Sequence, residues 1–409
     1  MDSLANSLTD LVKLKSGVKR LTLTDFRNYQ YLRINTDISP VIIYGDNGSG
    51  KTNILEAISF LTPGRGLRGA RLADIKRFIP QITDCNDFSF ISPLSWAVAA
   101  EIVNNGELFN ISTSVEKSSK ELNDDDDRIS AFERRSVKID GNKISSQAEL
   151  GKYISAIWIT PQMDRLFRGG SQPRRSCLDR LVYAFDMEHV KRTATFEHLY
   201  REWYRLIKEG KNDNYWLNSL EENMATTGVA IAAARREQVA RLNTFIDKEP
   251  DDIFPSVRLE LDGVIEKALD IKPAIEVEDF YVSMLKKQRY FVVNNDNPDG
   301  INRTDFKVYF KKKGMPADLC STGEQKSLLI SIILAQAKCQ TLHKGFAPIM
   351  LLDEVAAHLD DIKRDALLEK ILDLSLQAWI TTTDPRIFNK LSGSAQFLHV
   401  SNNSIKSDY

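Results

Sequence analysis

Gly45-Asp46-Asn47-Gly48-Ser49-Gly50-Lys51-Thr52 is a complete G-x-x-x-x-G-K-[ST] phosphate loop. Glycines at 45, 48 and 50 let the backbone wrap an anion with its N–H groups turned inward, and a helix start adds partial positive charge. Lys51 is placed to reach the β- and γ-phosphates of a nucleoside triphosphate, and Thr52 to hold Mg²⁺. Far along the chain, Ile349-Met-Leu-Leu-Asp353-Glu354 is a short apolar run that ends in two acids. Asp353 fits a Mg²⁺-bound carboxylate, and Glu354 fits the group that polarises an attacking water. The chemistry expected is ATP or GTP binding and hydrolysis.

Such residues need elements to position them. The run Pro40-Val-Ile-Ile-Tyr44 reads as a strand and Asn53-Ile-Leu-Glu-Ala-Ile-Ser-Phe60 as a helix, which is the context in which the motif means nucleotide binding. The run ending at Asp353 reads as a buried parallel strand that delivers its acids to the C-terminal edge of a sheet. Between them, Cys320-Ser321-Thr322-Gly323-Glu324-Gln325-Lys326-Ser327 leads into an apolar helix over 328–335. Free N–H groups at Ser321 and Gly323 would make a second anion site. The same residues also suit an ordinary Ser N-cap with Glu324 completing a capping box. Trp379-Ile-Thr-Thr-Thr383-Asp384 is a further short strand.

Alternation predicts strands near 18–24, 31–35, 96–103, 108–115 and 136–140. From Arg174 to about Leu285 the spacing is helical, as in Cys177-Leu178-Leu181-Val182-Phe185 and over 215–246, with Pro255, Gly263 and Pro273 punctuating its end. Strands return around 305–310. Phosphate loop and acids must act on one nucleotide, so the two ends of the chain must meet and the helical segment is an insertion. The expected fold is α/β: an extension at 1–16, one head built from 17–165 and 291–409, and a compact helical arm at 166–290.

The chain has 409 residues, 42% hydrophobic and 27% charged, the make-up of a soluble protein of two or three domains. No apolar run approaches the roughly eighteen residues of a membrane helix. Met1-Asp-Ser-Leu-Ala-Asn lacks the basic and apolar parts of a secretory signal, so a cytoplasmic protein with no membrane partner is expected. The four cysteines and five histidines show no metal-ligand spacing. A net charge of −1 excludes a globally basic nucleic-acid protein, so any DNA contact must be local. Candidate patches are Arg65, Arg68, Arg71, Lys76 and Arg77, then Arg174-Arg175, Lys286-Lys287-Gln-Arg289 and Lys311-Lys-Lys313, though each also suits a solvated face. Asp124 to Asp127 reads as a solvated acidic loop tip.

The Ser321 segment resembles the signature motif of ABC-type ATPases, with Cys320 and Thr322 departing from the pattern. Ala356-Ala-His358-Leu359-Asp360 resembles their D-loop, and Gln162 in Ile157-Trp-Ile-Thr-Pro-Gln162 stands like the Q-loop glutamine that bridges Mg²⁺. Thr383 occupies the place of the usual switch histidine, which implies slow hydrolysis. The insertion, about a hundred residues without sustained heptads, is too long for transporter ATPases and too short for long coiled-coil relatives. The chain thus resembles the RecF family, a short-armed group of the SMC/Rad50-like branch. The resemblance rests on Leu23-Thr-Asp-Phe-Arg-Asn-Tyr29, the phosphate loop through Ile58, Gly64-Arg-Gly-Leu-Arg68, Arg174-Arg-Ser-Cys-Leu-Asp179 and Cys320 to Lys326. Gly300-Ile-Asn-Arg303 departs from the family's Gly-Pro-His-Arg. The resemblance implies an ATP- and Mg²⁺-dependent homodimer that binds duplex and gapped DNA through Arg65, Arg68, Arg174 and Arg175. It also implies work with RecO and RecR to load RecA in recombinational repair. A transporter ATPase subunit and a phosphate-loop metabolite kinase are the alternatives.

Overall fold

Val41, Ile42 and Ile43 are fully buried, and the strand they form, Val41–Tyr44, sits inside a six-stranded sheet. The structure, a computed structural model, describes residues 16–77, 79–82, 88–91, 95–118, 132–210, 213–248, 253–294, 298–355 and 359–408. The sheet runs Ala156–Ile159, Ile349–Asp353, Ala378–Thr382, Val41–Tyr44, Gln396–Ser401, Ser404–Asp408. Its first five strands are parallel and the last pairs antiparallel. Ala156–Ile159, Ile349–Asp353 and Ala378–Thr382 are buried at every position, which is why they read as unbroken apolar runs. Register sets Asp353 beside Thr381 and Thr382 beside Tyr44. The acidic strand and the phosphate-loop strand are therefore separated by one intervening strand.

A second, antiparallel sheet orders Tyr29–Asn35, Ser16–Phe26, Ala97–Asn104, Glu107–Ser118, Phe132–Ile139 and Asn142–Lys143. Burial alternates along Ala97–Asn104, as expected when one face meets the core. Buried Gln377 ties this sheet to the first: Val18 N–H donates to its Oε1 at 2.7 Å and its Nε2 donates to Val18 O at 2.8 Å. Phe26, Phe60 and Trp96 pack edge to face with centroids 5.5–6.1 Å apart. Both sheets belong to one compact unit, the described residues up to Pro161 together with those from Gln340 onward. The two ends of the chain thus share one sheet, as the motif logic requires.

The second compact unit is Gln162–Cys339. Helices His189–Lys208, Asn214–Lys248 and Ala274–Val293 gather there around Trp203, Met224, Ile231, Tyr281 and Leu285, with Ser171–Tyr183 packed on the first two. The unit reaches beyond the arm expected at 166–290, because Asp305–Phe310 pairs with Val257–Asp262 and packs on Ser171–Tyr183. Val257–Asp262 itself corrects the expectation that 255–273 only ends the helical segment. Its Val-Arg-Leu-Glu-Leu-Asp alternation makes a strand, and helices resume at Val264–Ile271 and Ala274–Val293. Buried charge in this unit is paired: Asp179 receives Arg235 at 2.8 and 2.9 Å and lies 2.9 Å from His189 Nε2. No described helix is long and apolar enough to cross a membrane. Residues 1–15, the Asp124 to Asp127 run and Ala356 to His358 lie outside the described residues.

Candidate active site

The phosphate loop turns where only glycine fits. Gly50 has φ 106° and a Cβ there would lie 2.4 Å from Asn28 Nδ2 and 2.6 Å from Tyr29 Oη. The helix Lys51–Ser59 starts directly after it with no side-chain cap, so its first N–H groups face the loop and form an anion site. Lys51 is buried and its Nζ donates to Gly45 O at 2.7 Å and Asp46 O at 2.8 Å. Burial pulls its ammonium below the usual range, while the carboxylates of Glu354, Asp353 and Asp46 act in the opposite direction. Asp46, Asn47 and Gly48 are exposed, and the buried Ser49 Oγ has no hydrogen-bond partner among the described residues.

The acids arrive from the neighbouring strands. Thr52 Oγ1 donates to Asp353 Oδ1 at 2.8 Å, and Thr381 Oγ1 donates to the same oxygen at 2.8 Å. Thr381 Oγ1 also accepts the Glu354 backbone N–H at 2.9 Å. Glu354 has φ 55°, a left-handed conformation that turns the chain sharply off the strand end. A hydroxyl touching a carboxylate is the all-oxygen pair that Mg²⁺ takes, with phosphate and water completing its shell. The orphaned Ser49 hydroxyl and uncapped helix start suit a phosphate in the same way. The residues present fit both groups.

Other expected residues divide. Ser321 and Glu324 form the capping box: Ser321 N–H donates to Glu324 Oε2 at 2.8 Å and Glu324 N–H donates to Ser321 Oγ at 3.3 Å. Ser321, Thr322 and Gly323 are nonetheless exposed, so the cap and an anion-receiving first turn are compatible. Lys313 and the Ser321 donors hold the Glu324 carboxyl down at about 2. Asp360 is exposed and caps the helix Asp361–Asp373, accepting Lys363 N–H at 2.9 Å. Thr383 is exposed just past the Ala378–Thr382 strand, and it is Thr381 that meets Asp353. Gln162 is exposed on the short 3-10 turn Pro161–Arg165.

The DNA candidates differ in what holds them. Arg174 gives Nε and Nη2 to Asp305 at 2.7 and 3.0 Å and Nη1 to Gly169 O at 2.6 Å. Arg175 gives Nη1 to Thr304 O at 2.8 Å. The Arg174 guanidinium is ion-paired to Asp305, whereas Arg175 gives one nitrogen to the neutral acceptors Ser171 Oγ and Thr304 O. Arg65 and Arg68 are exposed, and Arg65 has no ionic partner among the described residues. Sequence reading missed Thr381, Asn28, Asn53 and Arg135. Their contacts cross strands or loops, and only the polar Thr-Thr-Thr end of an apolar strand gave a local signal.

A glycine loop at a helix start, faced by an Asp-Glu strand end and assembled from both ends of an interrupted chain, defines an ABC-type phosphate-loop head. A family profile described as the RecF/RecN/SMC N terminal domain matches residues 17–406. The chain is 40% identical over 393 residues to the DNA replication and repair protein RecF of Rhizobium rhizogenes, covering 96% of this chain and 98% of that one. It is equally similar, at 40% over the same share, to that of Agrobacterium fabrum. The fold matches a structure titled as the recombination mediator protein RecF-ATPrS in the RecFOR pathway, with TM-score 0.78, 18% identity and coverage of 97% and 99%. A RecF-ATP structure matches with TM-score 0.77 at 20% identity, covering 97% and 98%. The chain belongs to the RecF family. That membership sets aside the transporter-subunit and metabolite-kinase readings.

Proposed function

We propose that this protein is an ATP-gated DNA-binding protein of recombinational repair and replication-fork maintenance. Two copies close around ATP, bind duplex or gapped DNA, hydrolyse the nucleotide slowly and, with RecO and RecR, promote RecA loading on single strands. The observation that carries the reading is the Thr52–Asp353 contact with Glu354 adjoining it. The names of the whole-length relatives, and of the ATP-bound structure that shares the fold, support it.

In this reading Lys51 and the N–H groups after Gly50 bind the phosphates. Thr52 and Asp353, with Gln162, would hold Mg²⁺, which when bound neutralises charge developing on the phosphates. The Glu354 carboxylate orients water toward the terminal phosphorus and accepts its proton. Ser321 and Gly323 receive the γ-phosphate held by a second copy, with Asp360 close to that junction. Thr383 cannot titrate as a switch histidine would, so hydrolysis is slow and the closed state persists.

Fluorescence anisotropy of labelled duplex and gapped DNA tests the reading. ATP with Mg²⁺ is expected to tighten binding, and Arg65→Glu with Arg68→Glu to weaken it and flatten its salt dependence, by about 0.9 in log–log slope per lost phosphate contact. DNA affinity indifferent to ATP would overturn the gating claim.

A further inference from the structure

Asn47 and Gly48 form the tip of the phosphate loop, where the turn from Asp46 to Ser49 is closed by one long bond, Ser49 N–H to Asp46 O at 3.2 Å. Both residues are exposed, and Gly48 has φ 80°. A Cβ at Gly48 would meet no atom within 4 Å, so the space beside it is empty. Neither the Asn47 amide nor the Gly48 N–H makes a hydrogen bond among the described residues.

Asparagine followed by glycine is the pair at which a chain reacts with itself, since asparagine is thermolabile and glycine has no side chain to hinder ring closure. The Gly48 nitrogen attacks Asn47 Cγ. The N–Cγ bond forms, the Cγ–Nδ2 bond breaks, and Nδ2 leaves as ammonia with the Gly48 proton. Water then opens the five-membered imide at Cγ or at the main-chain carbonyl carbon, which leaves aspartate or isoaspartate and releases a proton. Phosphate binding draws on the same nitrogen. A loop that holds a nucleotide turns its N–H groups to the phosphates and fixes the turn, whereas an empty loop leaves the Gly48 N–H free. The product puts a second carboxylate beside Asp46 in an anion cradle, and its isoaspartate form lengthens the backbone by one carbon.

We propose that Asn47 is a self-modification site. With no nucleotide bound, the loop cyclises at Asn47–Gly48 and deamidates, which retires the site; a bound nucleotide blocks the reaction. The inference rests on the reading that this loop binds nucleotide. The chain's other Asn-Gly pair, Asn105–Gly106, is exposed at the hairpin turn between the strands Ala97–Asn104 and Glu107–Ser118, with φ 50° and 83°. It belongs to no phosphate-binding motif and serves as an internal comparison.

The test incubates the full chain at mildly alkaline pH, without nucleotide and with ADP and Mg²⁺. Mass mapping of peptides follows conversion of amide to acid at both pairs, and titration with a fluorescent ADP before and after reads the site. Without nucleotide, Asn47 is expected to convert and ADP affinity to fall with it. ADP at about ten times its Kd leaves about a tenth of the loops empty, so conversion at Asn47 is expected about tenfold slower, with Asn105 unaffected. Asn47→Asp is expected to bind ADP about tenfold more weakly than the parent. Asn47→Gln, whose longer side chain would have to close a six-membered ring, is expected to keep its own starting affinity through the incubation. Asn47 that stays intact without nucleotide for several times as long as a synthetic peptide of residues 41–53 takes to convert overturns the proposal. So does conversion that is equally fast with ADP bound. A fresh parent that binds no nucleotide sinks the nucleotide reading instead, and the modification is then judged by the nucleotide-free sample alone.

Discussion

Thr381 is the side chain on which the acid pair depends. Its hydroxyl is fully buried, aims Asp353 by donating to Oδ1 and anchors the left-handed turn at Glu354 by accepting its N–H. Thr381→Val keeps the shape and removes both bonds. ATP affinity is expected to hold, because Lys51 and the loop N–H groups are untouched. Turnover is expected to fall about tenfold, roughly 1.4 kcal/mol of barrier, with Thr381→Ser restoring most of it. Equal losses in Val and Ser variants would show that packing, and not the hydroxyl, matters. At this scale the phosphate loop was legible because all its residues are contiguous and its chemistry follows from spacing. Thr381 was not, since its partner lies 28 positions away and the strands between them are aligned only by sheet register. Arg174 and Arg175 looked like a surface pair for the same reason: nothing local announces Asp305, 131 residues distant from Arg174.

Among elements, strands with one buried face declared themselves by alternation, and buried parallel strands by short apolar runs. Val257–Asp262 was lost among turn residues although it alternates. What alternation cannot reveal is the support of the segment at 60–64. Arg135 bonds three main-chain carbonyls after the helix Lys51–Ser59 and the hydroxyl of Thr113. Arg135→Met is expected to leave those carbonyls buried and unpaired and to destabilise the first unit by about 2–4 kcal/mol in denaturant unfolding. A loss below about 0.5 kcal/mol, the size of an ordinary surface substitution, would show that water replaces the guanidinium. In the second unit, burial alone would raise the Asp179 carboxyl, but Arg235 and His189 hold it down at about 2. A depressed carboxyl contributes stability that is present above its unfolded value near ~4 and lost as pH falls toward the folded one. Asp179→Asn is accordingly expected to cost about 2 kcal/mol or more at pH ~6 and visibly less at pH ~3, read from thermal melts of the second unit's transition. A cost that does not shrink on acidification would refute the assignment.

For the whole molecule, the split head was legible because one nucleotide cannot be served by motifs that never meet. The sheet accordingly places the strand at 41–44 between strands from the far end of the chain. The DNA face was not legible, since basic clusters are ambiguous until partners are known. Arg77 pairs with Asp25, Arg71 with Asp74 and Arg68 with the buried Glu56, whereas Arg65 is exposed with no ionic partner among the described residues.

The central claim is that two copies close around ATP. Sedimentation of Glu354→Gln with and without ATP and Mg²⁺ tests it most directly, because the amide keeps the side chain's size while losing the carboxylate that orients water. The account predicts a monomer without nucleotide and a long-lived dimer with it, abolished by adding Ser321→Arg although that double variant still binds ATP. A Glu354→Gln protein that binds ATP tightly and remains a monomer would contradict it.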